Sequence, residues 1–270
     1  MLIVDSQIHL WRNDNAPPHH RRAPYLADEA ITAMDAAGVA RSVNCPAIWD
    51  DGANDYADEV ARAYPTRFAT LGWFPLALGA EEGFVEQFLA RPGMLGLRFV
   101  IMRPEDCQAL ADGMLDPIWA VADRLGRPVA IMAPKPLLPV VGETARRFAN
   151  VRWLLDHLAI GPFEKLPDAM SHLGALEALA KIPNVAVKAS ATPSMSNAGY
   201  PYEDVSDPLH RIFDAFGRER FFWGTDITRM PIPLSACVEM FTRHLSWLGG
   251  ADLEHVMGSA LCEWIGWNPS

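Results

Sequence analysis

No stretch of this 270-residue sequence approaches the roughly 20 consecutive apolar residues that a membrane span requires. The opening, MLIVDSQIHLW, has no basic leader region and carries Asp5, so neither a signal peptide nor a membrane partner is expected, and the setting is read as cytoplasmic. Cysteine is scarce: Cys45, Cys107, Cys237 and Cys262 stand far apart with no C-x-x-C pair, which excludes a thiolate zinc site and a disulfide scaffold. Positive charge is also short. Lys and Arg number 23 against 33 Asp and Glu, a net charge of −10, and the only basic runs are the pairs Arg21-Arg22 and Arg146-Arg147. Such a balance excludes nucleic acid as a partner and leaves a small-molecule substrate as the expectation. Low-complexity segments and Pro/Gly-rich linkers are missing too, so residues 1–270 are read as a single domain; nothing in the sequence sets an oligomeric state.

What is present is apolar material in a regular order. Half the residues are hydrophobic and 21% are charged, enough for a substantial core. Eight short apolar runs, at 2–7, 41–46, 68–74, 95–101, 128–133, 151–157, 184–190 and 221–226, are each followed by a loop and a segment of helical composition. They begin on average about 31 residues apart, the length of one strand plus one crossover helix. Segments 28–37, 56–63, 81–90, 117–125, 137–148, 170–181, 208–216 and 234–245 read as the amphipathic helices, and apolar residues at helical spacing predict a last one over 257–267. Eight such units in a chain of this length make an α/β fold, an eight-stranded parallel (β/α)8 TIM barrel. The longest loops, 11–25 and 192–207, follow strands and therefore belong to the catalytic face.

Side chains alternate along a strand, which places Ile3, Asp5, Gln7 and His9 on one inward face of the first strand. The same period puts Val151, Trp153, Leu155 and His157 together on the sixth, Gly96, Arg98 and Val100 on the fourth, Ala186, Lys188 and Ser190 on the seventh, and Phe222, Gly224 and Asp226 on the eighth. A barrel interior is normally filled with branched apolar residues. An arginine, a lysine, an aspartate and two histidines converging on one end therefore mark a catalytic pocket rather than a packed core. Arg103 and Arg229, just past strand ends, are candidate carboxylate clamps. Trp11, Trp49, Tyr200 and Tyr202 are candidate pocket walls, with Trp49 and Tyr200 read as substrate contacts. His19 and His20, in a Pro-rich loop, read as exposed.

The motifs VDSQIHLW, G-L-R, LLDHL, NVAVKAS and WGTDITR resemble the amidohydrolase superfamily over essentially the whole chain. Within it they resemble the amidohydrolase-related (amidohydrolase 2) group, which contains sugar-acid lactonases and the 2-pyrone-4,6-dicarboxylate lactonase. The resemblance implies a distorted TIM barrel, hydrolysis at a carbonyl, Asp226 as the base that activates water, and His9 and His157 as substrate or metal contacts. One departure stands out. The superfamily's usual His-x-His in the first strand is Gln7 and His9 here, and an amide is a poor ligand for zinc.

The residues are therefore read as a lactone or cyclic-ester hydrolase without a tight metal. Asp226, His157 and His9 are catalytic, and Gln7, Arg98, Lys188, Arg229, Trp49 and Tyr200 bind a small anionic substrate. The alternative cofactor is a single divalent ion, zinc or manganese, on His9, His157 and Asp226. Two further readings stand beside this one. The first is a metal-dependent decarboxylase or hydratase of an aromatic or dicarboxylic acid. The second is a non-catalytic ligand-binding barrel, favoured if Asp226 turned away from the pocket or were locked to Lys188.

Overall fold

The computed structural model describes residues 1–76 and 81–268. Eight strands alternate with helices: β1 (Val4–Ile8), β2 (Arg41–Asn44), β3 (Phe68–Trp73), β4 (Met94–Val100), β5 (Val129–Met132), β6 (Trp153–Leu155), β7 (Val185–Ala189) and β8 (Phe221–Trp223). They lie side by side in sequence order, each parallel to the next. Between and after them come α1 (Ala27–Ala37), α2 (Ala53–Ala63), α3 (Glu82–Leu89), α4 (Pro104–Ala111), α5 (Asp116–Arg124), α6 (Leu138–Arg147), α7 (Leu173–Ala180) and α8 (Ser206–Phe216). The chain ends with α9 (Leu234–Glu239), α10 (Gly250–Glu254) and α11 (Ala260–Ile265). All eight expected strands form. Helix α4, opened by Pro104, and the short α10 were not legible as separate helices.

Two apolar layers account for the architecture. Val4, Val43, Leu71, Leu154 and Phe222 fill the barrel, whereas Leu97, Phe99, Ile131, Trp153 and Val187 face outward and are covered by helices. A strand buried on both faces carries apolar residues at every position, which is why the runs read as continuous. Helix α8 is held by Leu209, Ile212 and Phe216, an i, i+3, i+7 stripe. Helix α1 stops where Gly38 turns left-handed (φ 72°) and returns its N–H to Asp35 and Met34, a geometry that costs glycine no side-chain clash.

The barrel is nearly closed. Between β8 and β1 the Asp226 N–H donates to the Gln7 carbonyl at 2.8 Å. The Asp5 carboxylate accepts the Thr225 N–H (2.8 Å), the Thr225 hydroxyl and the Gln7 N–H (3.0 Å). Gly224 allows this seam, because a Cβ there would lie 2.2 Å from Ser6 Oγ. At the opposite end, Leu261, Ile265 and Trp267 of the C-terminal segment pack with Val4, Ala186 and Phe222 and plug the barrel floor. The final helix expected over 257–267 is α-helical only over Ala260–Ile265, behind a wide π-turn at His255–Ser259. No helix among the described residues is long and apolar enough to cross a membrane.

Two strands differ from the expected facing, β1 by a bulge and β6 by its phase. In β1, Asp5 opposes Ser42 and Ile8 opposes Asn44, so three steps on one strand match two on its neighbour. Across that bulge Val4 faces the interior, Ile3 joins the outer layer, and Asp5 meets the seam. In β6, Trp153 and Leu155 face the helices while Leu154 faces inward. Asp156, not Leu155, continues the inward row, and the chain then runs left-handed through His157, Leu158 and Ala159 (φ 52°, 55° and 58°), which swings His157 back over the barrel.

Candidate active site

The site is built on a sealed ionic layer. Asp156, fully buried, takes Lys188 Nζ on one carboxylate oxygen (2.9 Å) and Arg98 Nε on the other (2.8 Å). Burial opposes its ionisation, but the Lys188 and Arg98 charges hold the Asp156 carboxyl well below the usual carboxylate range. Burial opposes the charge of Arg98 as well, and the Asp156 carboxylate outweighs it and raises the guanidinium above its ordinary value. Lys188 also donates to Gln7 Oε1 at 3.0 Å.

That last contact orients everything above it. An ammonium can only donate, so the Gln7 oxygen faces Lys188 and its NH2 faces upward. There it meets the Nε2 atoms of His157 (3.3 Å) and His9 (3.5 Å). The other ring nitrogens agree: His9 Nδ1 bonds the Cys45 carbonyl, which can only accept, and His157 Nδ1 bonds Ser190 Oγ at 2.8 Å. Both imidazoles thus carry their proton on Nδ1 and turn a bare Nε2 toward the centre. Burial lowers both to about 4, so both are neutral at pH 7.

Asp226 sits in the middle, also in a left-handed conformation (φ 53°). Its Oδ1 lies 3.4 Å from His9 Nε2 and 4.0 Å from His20 Nδ1; its Oδ2 lies 3.7 Å from His157 Nε2 and 3.4 Å from Arg229 Nη1. Burial opposes its charge, yet His9, His20 and His157, which are imidazolium in the acid range where Asp226 would titrate, together with Arg229 hold its carboxyl well below the usual range. Oδ1 has no hydrogen-bond donor among the described residues. A buried carboxylate oxygen facing bare imidazole nitrogens is an electron-rich cluster that wants a positive centre or a water between its atoms.

The loop after β1 completes the site. Trp11 and Tyr25 pair across its base by N–H to carbonyl bonds of 3.1 and 3.2 Å, and Arg21 N–H bonds the Thr228 carbonyl at 2.8 Å. This lays His20 over the barrel mouth, its Nδ1 on Thr228 Oγ1 (2.7 Å) and its ring 4.6 Å from that of Trp49. Burial lowers His20 to about 3. A cavity of about 260 Å³ opens above, lined by His9, His19, His20, Trp49, Arg98, His157, Asp226 and Arg229 with further apolar residues.

The structure thus brings His9, His157, Asp226, Arg98, Arg229 and Trp49 to one cavity at the C-terminal ends of the strands. Gln7 and Lys188 lie directly beneath, fully buried and spent on the ionic layer, so they are not substrate contacts. Tyr200 is not a wall of this cavity: it is 42% exposed and its hydroxyl meets Glu239 at 3.4 Å. Trp11 backs Trp49 and His20 from within the core instead of lining the cavity, and Arg103 is spent on Asp106 at its own helix start. His19 and His20, read as exposed, are not: His20 is buried, and His19 is half-buried and lines the cavity. Asp156 was overlooked because the row read as inward, Val151, Trp153, Leu155 and His157, is the outer phase of β6. Lys188 is locked to Asp156 and not to Asp226, which faces the cavity. The donor set that fits a single divalent ion is correspondingly different from the expected one: ligand atoms of His9, His20 and Asp226 lie within 4.8 Å of one another, with His157 on the far carboxylate oxygen.

Comparison with known proteins adds the relationship. A family model described as amidohydrolase (Amidohydro_2) matches residues 4–263. A search of curated proteins finds no match. Among solved structures, an amidohydrolase from Burkholderia multivorans with bound zinc has a TM-score of 0.86 at 18% identity, covering 98% of this chain and 99% of that one. A protein from Pseudomonas putida assigned as a 2-pyrone-4,6-dicarboxylic acid hydrolase has a TM-score of 0.79 at 18% identity over 100% and 99% of the chains. The 5-carboxyvanillate decarboxylase of Sphingomonas paucimobilis has a TM-score of 0.71 at 15% identity over 98% and 99%. At such identities the structures share the fold.

Proposed function

The chain belongs to the amidohydrolase family, and on that premise we propose that it hydrolyses a small carbonyl substrate, a lactone or related cyclic ester, in the cavity above Asp226. The observation that carries this is the donorless Asp226 Oδ1 at the cavity floor, with the bare Nε2 of His9 3.4 Å away and the bare Nε2 of His157 3.7 Å from the other carboxylate oxygen. Any carboxylate is a weak base toward plain water, so Asp226 takes the proton of a water that is itself acidified. Water acidification and carbonyl polarisation are the chemistry a divalent ion such as zinc or manganese supplies when bound, and His9, His20 and Asp226 are the residues that would hold it.

The chain's own residues do the rest. Asp226 accepts the water proton as the oxygen adds to the carbonyl carbon, and Arg98 and Arg229 face the negative charge that grows on the carbonyl oxygen. The ring C–O bond then breaks, and the proton passes from Asp226 to the departing alkoxide, leaving a hydroxy acid. His157, fixed by Ser190 and Gln7, positions the reacting carbonyl over Asp226.

A panel of lactones and esters, run on protein of measured metal content with and without chelator, tests this reading. Ring opening that is lost with the metal supports it. Release of carbon dioxide from aromatic carboxylates, with no ring opening, would replace hydrolysis by decarboxylation.

A further inference from the structure

The cavity above Asp226 is charged on its floor and apolar along its wall. Ile48, Trp49, Val100, Met102, Met132 and Pro162 supply that wall. The floor cations are already engaged: Arg98 and Lys188 share Asp156, and Arg229 faces Asp226. Among these side chains three cations face two carboxylates, a net of one positive charge before any divalent ion on Asp226 is counted.

A second cavity of about 400 Å³ opens on the same end of the barrel, beside the ends of β2, β3 and β4, and shares Ile48, Val100 and Met102 with the first. Ile48 is 40% and Met102 47% exposed, so the partition is a row of loose side chains and not a packed wall. Trp73, Phe74, Pro75 and Leu76 continue the apolar surface beyond it. Arg103 at the rim bonds both oxygens of Asp106, at 2.7 and 2.9 Å, and so offers no free charge there. Large apolar side chains left half-exposed at a cavity mouth mark a surface that a ligand covers.

We propose that the substrate carries at most one carboxylate and a hydrocarbon substituent, and that this substituent passes over Val100 into the second cavity, which selects for it. The proposal rests on the catalytic reading for where the carbonyl sits. A polyol or a polycarboxylate would leave hydroxyls or a second charge unpaired against this wall, which costs binding. Hydrocarbon buried there gains about fourfold in affinity per methylene.

Calorimetric titration of the intact protein with acetate, hexanoate, decanoate and citrate tests this without requiring turnover. Affinity should climb from acetate to decanoate, by about threefold to fourfold per methylene until the second cavity is full, and citrate should bind more weakly than hexanoate. Leu76→Trp, which fills the second cavity from a half-buried surface position, should bring decanoate down to the affinity of hexanoate. A flat chain-length series, tighter binding of citrate, or decanoate binding indifferent to Leu76→Trp would overturn the proposal. Parallel assays of lactones with short and long alkyl substituents separate the two readings. If none is opened while the binding slope stands, the reaction is wrong and the pocket assignment holds; if all are opened alike, the reaction holds and the pocket assignment falls.

Discussion

At the scale of single residues, the site is a stack in which each group fixes the next. Arg98 and Lys188 hold Asp156, Lys188 orients the Gln7 amide, and Gln7 sets the lone pairs of His9 and His157 around Asp226. Asp156 thus matters more to stability than to chemistry. Asp156→Asn leaves two buried cations without their anion and should cost on the order of 3–5 kcal/mol, read from denaturant midpoints; a loss below about 1 kcal/mol would show that the layer is solvated and does not organise the site. His20 makes the opposite test. If it supplies a ligand atom beside His9 and Asp226, His20→Phe should weaken zinc affinity by roughly tenfold or more, read as zinc lost on dialysis, with little change in melting temperature. Unchanged zinc content in that variant would hand the position to His157.

At the scale of elements, the seam between β1 and β8 makes stability depend on pH. Burial raises the Asp5 carboxyl to about 7, against the hydrogen bonds from Thr225 and Gln7 that favour its charge. A carboxyl with a raised folded-state pKa stabilises the fold while both states are protonated, and that contribution is lost as pH rises through the folded value. Stability should therefore fall between about pH 4 and 7, by on the order of 4 kcal/mol from this group, and Asp5→Asn should flatten the profile over that window. An unchanged slope in the variant would mean that Asp5 is ionised in the fold. The same elements show what the sequence could and could not say. The eight runs and most helices were legible because each strand is short, apolar and bounded by turn residues. The facing of β4, β7 and β8 was legible because Arg98, Lys188 and Asp226 break otherwise apolar rows. The facing of β6 was not, since a strand apolar on both sides has no readable phase, and its left-handed exit at His157 has no glycine to announce it. His20 was missed although its loop was placed on the catalytic face: what buries it is a pairing of Trp11 with Tyr25 and a bond to Thr228, more than 200 residues distant in sequence.

At the scale of the molecule, the barrel gathers His9, His20, Arg98, His157, Asp226 and Arg229 on one end and leaves the other end to the α11 plug. The net charge is −10, and the cavity is a local exception in bringing Arg98 and Arg229 together. The most direct measurement of the central claim is turnover of a lactone by wild-type protein and by Asp226→Asn, with fold and metal content determined on the same samples. The substitution is nearly isosteric, so the account predicts an intact fold and a rate lower by about 10²–10⁴, accompanied by loss of metal if Asp226 is also a ligand. Wild-type turnover in Asp226→Asn would contradict it.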